Sequence, residues 1–225
     1  MSPASRPRST RDRPAKAPLS EDAIVDAALA ILKAEGLDAV TMRRVAAALD
    51  TGPASLYVYV SGREGLLQAM QDRTIASIRL DQPDPARWRA QLHSLLERTY
   101  RALAAHPGIA ALAVAHPLTT ESALLHQENL LAILLAAGLD PQDAAWAADI
   151  FAALVTHAAI EDDMRRADRQ DLARQLHQLF TGLPPDRFPL ITAHAAQLVA
   201  GHSDERFRFA IDVVIDGLLA RAAQQ

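Results

Sequence analysis

The stretch from Leu49 to Val60, LDTGPASLYVYV, places hydroxyl-bearing side chains beside a tight turn. Its serine and two tyrosines can donate hydrogen bonds to the phosphate oxygens of a nucleic acid, and tyrosine does so from a rigid ring. Arg43 and Arg44 precede the turn, and a guanidinium binds either a phosphate or the edge of a guanine base. These residue types predict a surface that binds DNA.

Sequence signatures of catalysis and of metal binding are missing. There is no G-x-S-x-G nucleophile elbow, no P-loop and no G-x-G-x-x-G motif. Cysteine is absent, and the eight histidines never fall at His-x-x-x-His or Glu-x-x-His spacing. We therefore expect no cofactor and no structural metal ion, and the sequence argues against an enzyme.

Composition favours a helical protein. Half of the 225 residues are hydrophobic and only 4% are aromatic, a balance that suits packed helices better than sheets. The apolar segment LLAILLAAGL is too short to span a bilayer, and no apolar run follows the arginine- and proline-rich N-terminus. We expect a soluble, cytoplasmic protein without a membrane partner.

Positive charge is concentrated at one end of the chain. Net charge is −4, yet residues 1–20 hold five basic residues and one acidic residue. Residues 1–19 also contain four prolines and no hydrophobic periodicity, which predicts a disordered basic arm. Such an arm suits either DNA attraction or solubility.

Two short helices are predicted before the turn. Ser20 can cap a first helix that Gly36 ends, with apolar residues at helical spacing between them. Thr41 can cap a second helix, MRRVAAAL, which Asp50-Thr51-Gly52 then breaks. The second helix and the short helix after this turn, two short helices joined by a turn that contains glycine, have the shape of a helix-turn-helix, although spacing alone does not exclude an ordinary helical corner.

A third, very short helix is predicted to begin at Pro53. Leu56 and Val60 are four residues apart and should face a small three-helix core, which leaves the remaining side chains on the outer surface. Ser61 and Glu64 have the capping-box spacing of a fourth helix that continues to about residue 80.

The segment TMRRVAAALDTGPASLYVYVSGREGLL resembles the helix-turn-helix of the tetracycline-repressor (TetR) family, and AIVDAALAILKAEGLDAV is similar to that family's first helix. The resemblance implies an all-α, homodimeric transcription factor. It implies a three-helix DNA-binding domain over residues 20–66. A helical domain over residues 67–225 would then bind a small-molecule effector and dimerise. Position in the motif and on the outer surface assigns operator contacts to Thr41, Arg43, Arg44, Pro53, Ala54, Ser55, Tyr57, Val58, Tyr59 and Arg63.

The motif departs from the family pattern in ways that limit base recognition. Asp50 stands where glycine is frequent, but aspartate tolerates the left-handed conformation that the turn needs. Pro53 and Ala54 offer no side-chain hydrogen bonds to bases, and Val58 can contact little beyond a thymine methyl group. We therefore expect Arg43 and DNA shape to supply much of the discrimination between sequences.

A series of amphipathic helices is predicted after residue 82, near 85–105, 107–115, 120–137, 141–165, 168–180, 187–200 and 203–222. In the last of them, Phe207, Ile211, Val214 and Leu218 repeat at helical spacing, and Phe209 and Val213 line a neighbouring face. With the alanine-rich helix over 144–160, this helix suits a four-helix bundle with a second subunit. Packing within one subunit is the alternative.

Aromatic and histidine side chains of the C-terminal part are candidates to line an effector cavity, although each also suits an ordinary core or surface position. They are Trp88, Tyr100, His116, His126, Trp146, Phe151 and His157. The implied mechanism is a repressor that a small molecule releases from its operator, with the fourth helix as the lever. A helical protein-binding scaffold and an all-helical enzyme are the alternatives; a scaffold leaves Arg43 and the tyrosines unexplained.

Overall fold

The computed structural model describes residues 18–115, 119–165, 169–201 and 203–223, and the regular structure in these ranges is helical. The first four helices are α1 (Glu21–Glu35), α2 (Met42–Ala48), α3 (Pro53–Leu56) and α4 (Gly62–Ala76), with a 3-10 turn over Leu37–Ala39. The next four are α5 (Trp88–Ala104), α6 (Ile109–Ala115), α7 (Glu121–Ala136) and α8 (Pro141–Arg165). The last four are α9 (Arg169–Thr181), α10 (Pro189–Ala193), α11 (Ala195–Val199) and α12 (Ser203–Ala222). His116 and nearly all of the predicted basic arm lie outside the described residues.

The predicted helix ends of α1 and α2 are confirmed. The hydroxyl of Ser20 accepts a hydrogen bond from the Ala23 amide at 3.2 Å, and that of Thr41 accepts one from the Arg44 amide at 3.1 Å. Gly36 ends α1 with φ of 86°, a conformation that favours glycine. Short polar side chains and one glycine therefore set where these helices start and stop.

The turn between α2 and α3 also has its predicted form. Asp50 adopts a left-handed conformation with φ of 49°, and Pro53 occupies the first turn of α3. Leu56 is fully buried and Val60 is 6% exposed, so both face the core of the three-helix head. This anchoring directs the intervening side chains outward.

The capping box predicted for α4 was wrong. Ser61 makes no side-chain capping hydrogen bond, because its hydroxyl lies instead against Gly65, where an added Cβ would be 2.4 Å from Oγ. The helix also ends at Ala76, short of residue 80. Its last turn is closed by the Ser77 hydroxyl, which donates to the Thr74 carbonyl at 2.7 Å.

Helix α8 is the centre of the C-terminal body. It packs against α5, α6, α7 and α12, and alanines at 144, 147 and 148 bring those neighbours close. By length and composition alone its Pro141–Asp163 segment would suit a membrane span, which the sequence analysis did not anticipate. In the fold the helix contributes apolar side chains to the core, since Phe151 is fully buried and Val155 is 2% exposed.

Helices α9, α10 and α11 pack on one another between the end of α8 and the start of α12. A single helix was predicted over 187–200, but the chain forms two five-residue helices with His194 between them. The backbone of His194 has φ of −114° and ψ of 20°, which is outside the helical range.

Candidate DNA-binding surface and effector cavity

The outer surface of the α3 region is formed by the residues predicted to meet DNA. Tyr57 is 59% exposed, Val58 81% and Tyr59 40%, in contrast to the two buried neighbours that anchor them. Pro53, Ala54 and Ser55 are exposed on the same short helix, as is Thr41 at the start of α2. The surface therefore presents two phenol rings and a valine to solvent.

Gly62 lies near one of these rings, a proximity that sequence reasoning missed. A Cβ added to Gly62 would lie 3.8 Å from Cε1 of Tyr57, so the ring is close to this glycine. Gly62 has φ of 85°, which favours glycine, and it begins α4. The sequence signal was a glycine directly after the predicted cap.

Arg43 and Arg44 differ in their surroundings. Arg44 donates from Nη2 and Nε to the carboxylate of Glu35 at 2.5 and 3.2 Å. These hydrogen bonds lower the pKa of Glu35 and raise the pKa of Arg44. Within the described residues Arg43 has no such partner, and its side chain is exposed. Its guanidinium is therefore available to another molecule.

Arg63 is bound to the head itself. Its Nε donates to the Val40 carbonyl at 2.9 Å, and its Nη2 donates to the Leu37 carbonyl at 3.3 Å. These bonds fasten the start of α4 to the turn between α1 and α2. The structure thus gives Arg63 an internal role in addition to the phosphate contact that was predicted for it.

A cavity of about 220 Å³ lies between the helices of the body. Most of its walls are apolar side chains, and its polar groups are Thr99, His126, Gln127 and Thr156. The apolar lining residues are Ile75, Leu96, Leu103, Ala113, Ala123, Leu124, Leu130, Phe151, Ala152 and Val155. Because Ile75 belongs to α4, the helix that starts at the DNA-binding head also forms part of the cavity wall.

The cavity includes two of the seven side chains predicted to line it, namely His126 and Phe151. Trp88 packs in the core beside α12, and Tyr100 stacks on Phe207 with ring centroids 5.1 Å apart. Trp146 is 57% exposed, and His157 is also exposed. The last candidate, at position 116, lies outside the described residues.

A chain of hydrogen bonds orients the histidine of the cavity. The Thr99 hydroxyl lies 2.8 Å from the Leu95 carbonyl and 2.8 Å from Nε2 of His126. Burial lowers the pKa of His126, so its imidazole is neutral at neutral pH. Sequence reasoning missed Thr99, although a threonine four residues after a leucine in the apolar stripe of α5 was a usable signal.

A helix-turn-helix head joined to a helical body with a cavity between its helices defines a transcription regulator of the ligand-binding type. The chain belongs to the TetR family of bacterial regulatory proteins. Residues 24–70 match the family's N-terminal model, described as bacterial regulatory proteins, tetR family. Residues 82–222 match the tetracyclin repressor-like C-terminal domain.

Individual relatives agree with this assignment. The repressor DrrR1 of Streptomyces coeruleorubidus is 31% identical over 96% of this chain and 84% of its own length. Apo ActR from Streptomyces coelicolor is 35% identical with a TM-score of 0.86, covering 93% of this chain and 99% of its own. BioQ, solved with its DNA operator, is 25% identical with a TM-score of 0.66, over 90% of this chain and 99% of its own.

The family settles the class of function that the sequence left open. The protein is a transcription regulator with a DNA-binding head and a ligand-binding body, and its family and relatives are regulators rather than enzymes. The all-helical architecture predicted from composition is confirmed. The TetR family indicated by the α2–α4 segment is confirmed as well.

The internal bonds of Arg63 generate a stability prediction. Arg63→Met should lower the free energy of unfolding by about 1–2 kcal/mol, because it removes two hydrogen bonds to backbone carbonyls. Arg44→Met is the matched control, since an exposed ion pair is worth about 0–1 kcal/mol. Urea denaturation followed by circular dichroism measures both. Equal losses in the two variants would show that the Arg63 bonds do not hold the head together.

Proposed function

We propose that this protein is a homodimeric, cytoplasmic repressor that a small molecule releases from double-stranded operator DNA. The observation that carries the proposal is that α4 begins at the DNA-binding head and ends in the wall of the cavity, through Ile75. The 35% identical ActR has been solved with actinorhodin and with (S)-DNPA, which supports a ligand-binding role for this chain. DrrR1, named a transcriptional repressor, supports repression over activation.

For DNA binding, we propose a division of labour within residues 20–66. Ser55, Tyr57 and Tyr59 donate hydrogen bonds to phosphates and Val58 meets a base edge, because these side chains extend outward from the short third helix. Pro53 and Ala54 bring the backbone of α3 close to the groove. The Thr41 hydroxyl accepts a hydrogen bond as a helix cap, which leaves its own proton for a phosphate.

We propose that α8 and α12, within residues 67–225, form the dimer interface. Trp146 and Ile150 of α8 are 57% and 48% exposed, and Phe209 and Val213 of α12 are 71% and 54% exposed. The two helices pack against each other, and we propose that these four exposed residues form one apolar face. A second copy would bury it in a four-helix bundle and pair the two heads for a two-fold symmetric operator.

A second contact between the head and the body would transmit the ligand signal in addition to α4. A Cβ on Gly108, in the turn before α6, would lie 3.3 Å from Leu37 of the head. The Gly108 amide donates to the carboxylate of Asp163 on α8 at 2.8 Å. Burial, and then the charge of Lys33 on α1, lower the pKa of the adjacent His106. Movement of α6 or α8 around a ligand would thus reach the head directly.

Tyr57→Phe tests the proposed phosphate contact. Removing one exposed hydroxyl should weaken operator binding about 2- to 10-fold, the worth of one hydrogen bond, and should leave the fold unchanged. Gel shift with DNA from upstream of the gene measures the affinity, and circular dichroism checks the fold. Tyr100→Phe is the control, because this ring lies in the body. Unchanged binding by Tyr57→Phe would remove its hydroxyl from the interface.

The two neighbouring arginines offer a matched test. Arg43→Ala should reduce operator affinity and lower the slope of log affinity against log salt by about 1, because one phosphate or base contact is lost. Arg44→Ala should have the smaller effect, since its guanidinium is already held by Glu35. Fluorescence anisotropy over a range of salt concentrations measures both. A larger loss of operator affinity in Arg44→Ala than in Arg43→Ala would contradict this assignment.

Leu37→Ala tests the contact between head and body. A compound that releases wild-type protein from its operator should bind this variant equally well but change its operator affinity less, by about 0.5–2 kcal/mol. Operator affinity with and without the compound gives the coupling. Leu49→Ala, at a partly buried leucine of the head, is the control. It should keep the wild-type ratio of operator affinities measured with and without the compound. If the compound changed the operator affinity of Leu37→Ala as much as that of the wild type, α4 alone would transmit the signal.

A further inference from the structure

Resting on the proposed effector role of the cavity, we infer that the effector is an uncharged, mainly apolar molecule that donates a hydroxyl hydrogen bond to Nδ1 of His126. The inference concerns the chemical class of the ligand and follows from the charge, the size and the hydrogen-bonding state of the cavity walls.

The described walls of the cavity disfavour a charged ligand. Among the described residues that line the cavity, none is an arginine, lysine, aspartate or glutamate. An ion transferred from water into such a site would lose its hydration without gaining a partner of opposite charge, which costs several kcal/mol. An uncharged molecule with extensive apolar surface is favoured instead, because burial of that surface releases about 25 cal/mol per Å².

The hydrogen bonds at Thr99 decide which nitrogen of His126 carries the proton. The Leu95 carbonyl can only accept, so the Thr99 hydroxyl donates its one proton there. The same hydroxyl oxygen must then accept from His126, and Nε2 at 2.8 Å therefore bears the hydrogen. This arrangement satisfies both contacts and fixes a single tautomer of the neutral ring.

The remaining nitrogen of His126 is then an acceptor. In a neutral imidazole protonated on Nε2, Nδ1 carries an unshared lone pair and cannot donate. The part of the chain that the structure describes supplies no donor to Nδ1. Because the residue lines the cavity, we take Nδ1 to be within reach of a bound ligand, and a ligand hydroxyl is then the complementary group. Gln127 and Thr156 can each accept or donate, so they accommodate a second polar group without demanding one.

Three compounds of one ring system test this inference. They are 1-naphthol, a neutral donor; 1-methoxynaphthalene, which is neutral and can only accept; and 1-naphthoate, an anion at pH 7. Isothermal titration calorimetry with the full-length protein should give 1-naphthol about 3- to 10-fold higher affinity than the methyl ether, the worth of one hydrogen bond. Naphthoate should show no saturable binding.

Variants assign the preference to the histidine. His126→Phe should bring 1-naphthol down to the affinity of the methyl ether and leave the ether unchanged. His126→Gln retains a carbonyl acceptor and should keep part of the preference for 1-naphthol over the methyl ether. This result would show that the loss in His126→Phe comes from the missing acceptor and not from misfolding. His194→Phe, an exposed position between α10 and α11, is the matched control and should behave as wild type.

The possible failures are distinguishable. Equal affinity for the naphthol and its methyl ether, or a preference that survives in His126→Phe, would overturn the donor assignment while the cavity remained an effector site. Tightest binding by naphthoate would overturn the neutral class. No saturable binding of any of the three compounds to the wild-type protein would overturn this inference together with the proposed effector role.

Discussion

The fold depends on one helix that is packed at both ends against different partners. Helix α4 packs against α1, to which the ion pair of Arg73 with Asp26 also holds it, and its last turn reaches the cavity at Ile75. An α-helix rises 1.5 Å per residue, so these fifteen residues span about 22 Å without a joint. A rigid element of that length cannot adjust at one end without moving the other.

Local chemistry explains why the DNA-binding head was readable from the sequence. Ser20, Thr41 and Pro53 act within three or four residues of their own positions, so their effect needs no knowledge of the rest of the chain. Ser61 looked equivalent, yet in the folded chain its hydroxyl lies against Gly65. Spacing can predict the opportunity for a cap but cannot exclude a competing contact.

The cavity was far less readable, because its walls come from helices that meet only in the tertiary structure. Tyr100 looked like a ligand-binding ring, but it stacks on Phe207, more than one hundred residues away. Arg63, predicted to contact a phosphate, also donates to backbone carbonyls that are twenty-three and twenty-six residues distant. Conversely, Thr99 gains its meaning only from a histidine on another helix. Residue type alone suggested functions for these side chains, but their contacts in the folded chain are not visible in the sequence.

The apolar face of α8 and α12 has a consequence for how much active protein a cell contains. A single chain leaves Trp146 and Phe209 in water, and the proposed second copy would remove this apolar surface from solvent. Under that proposal stability would be linked to concentration by mass action, so that dilution would weaken the folded regulator.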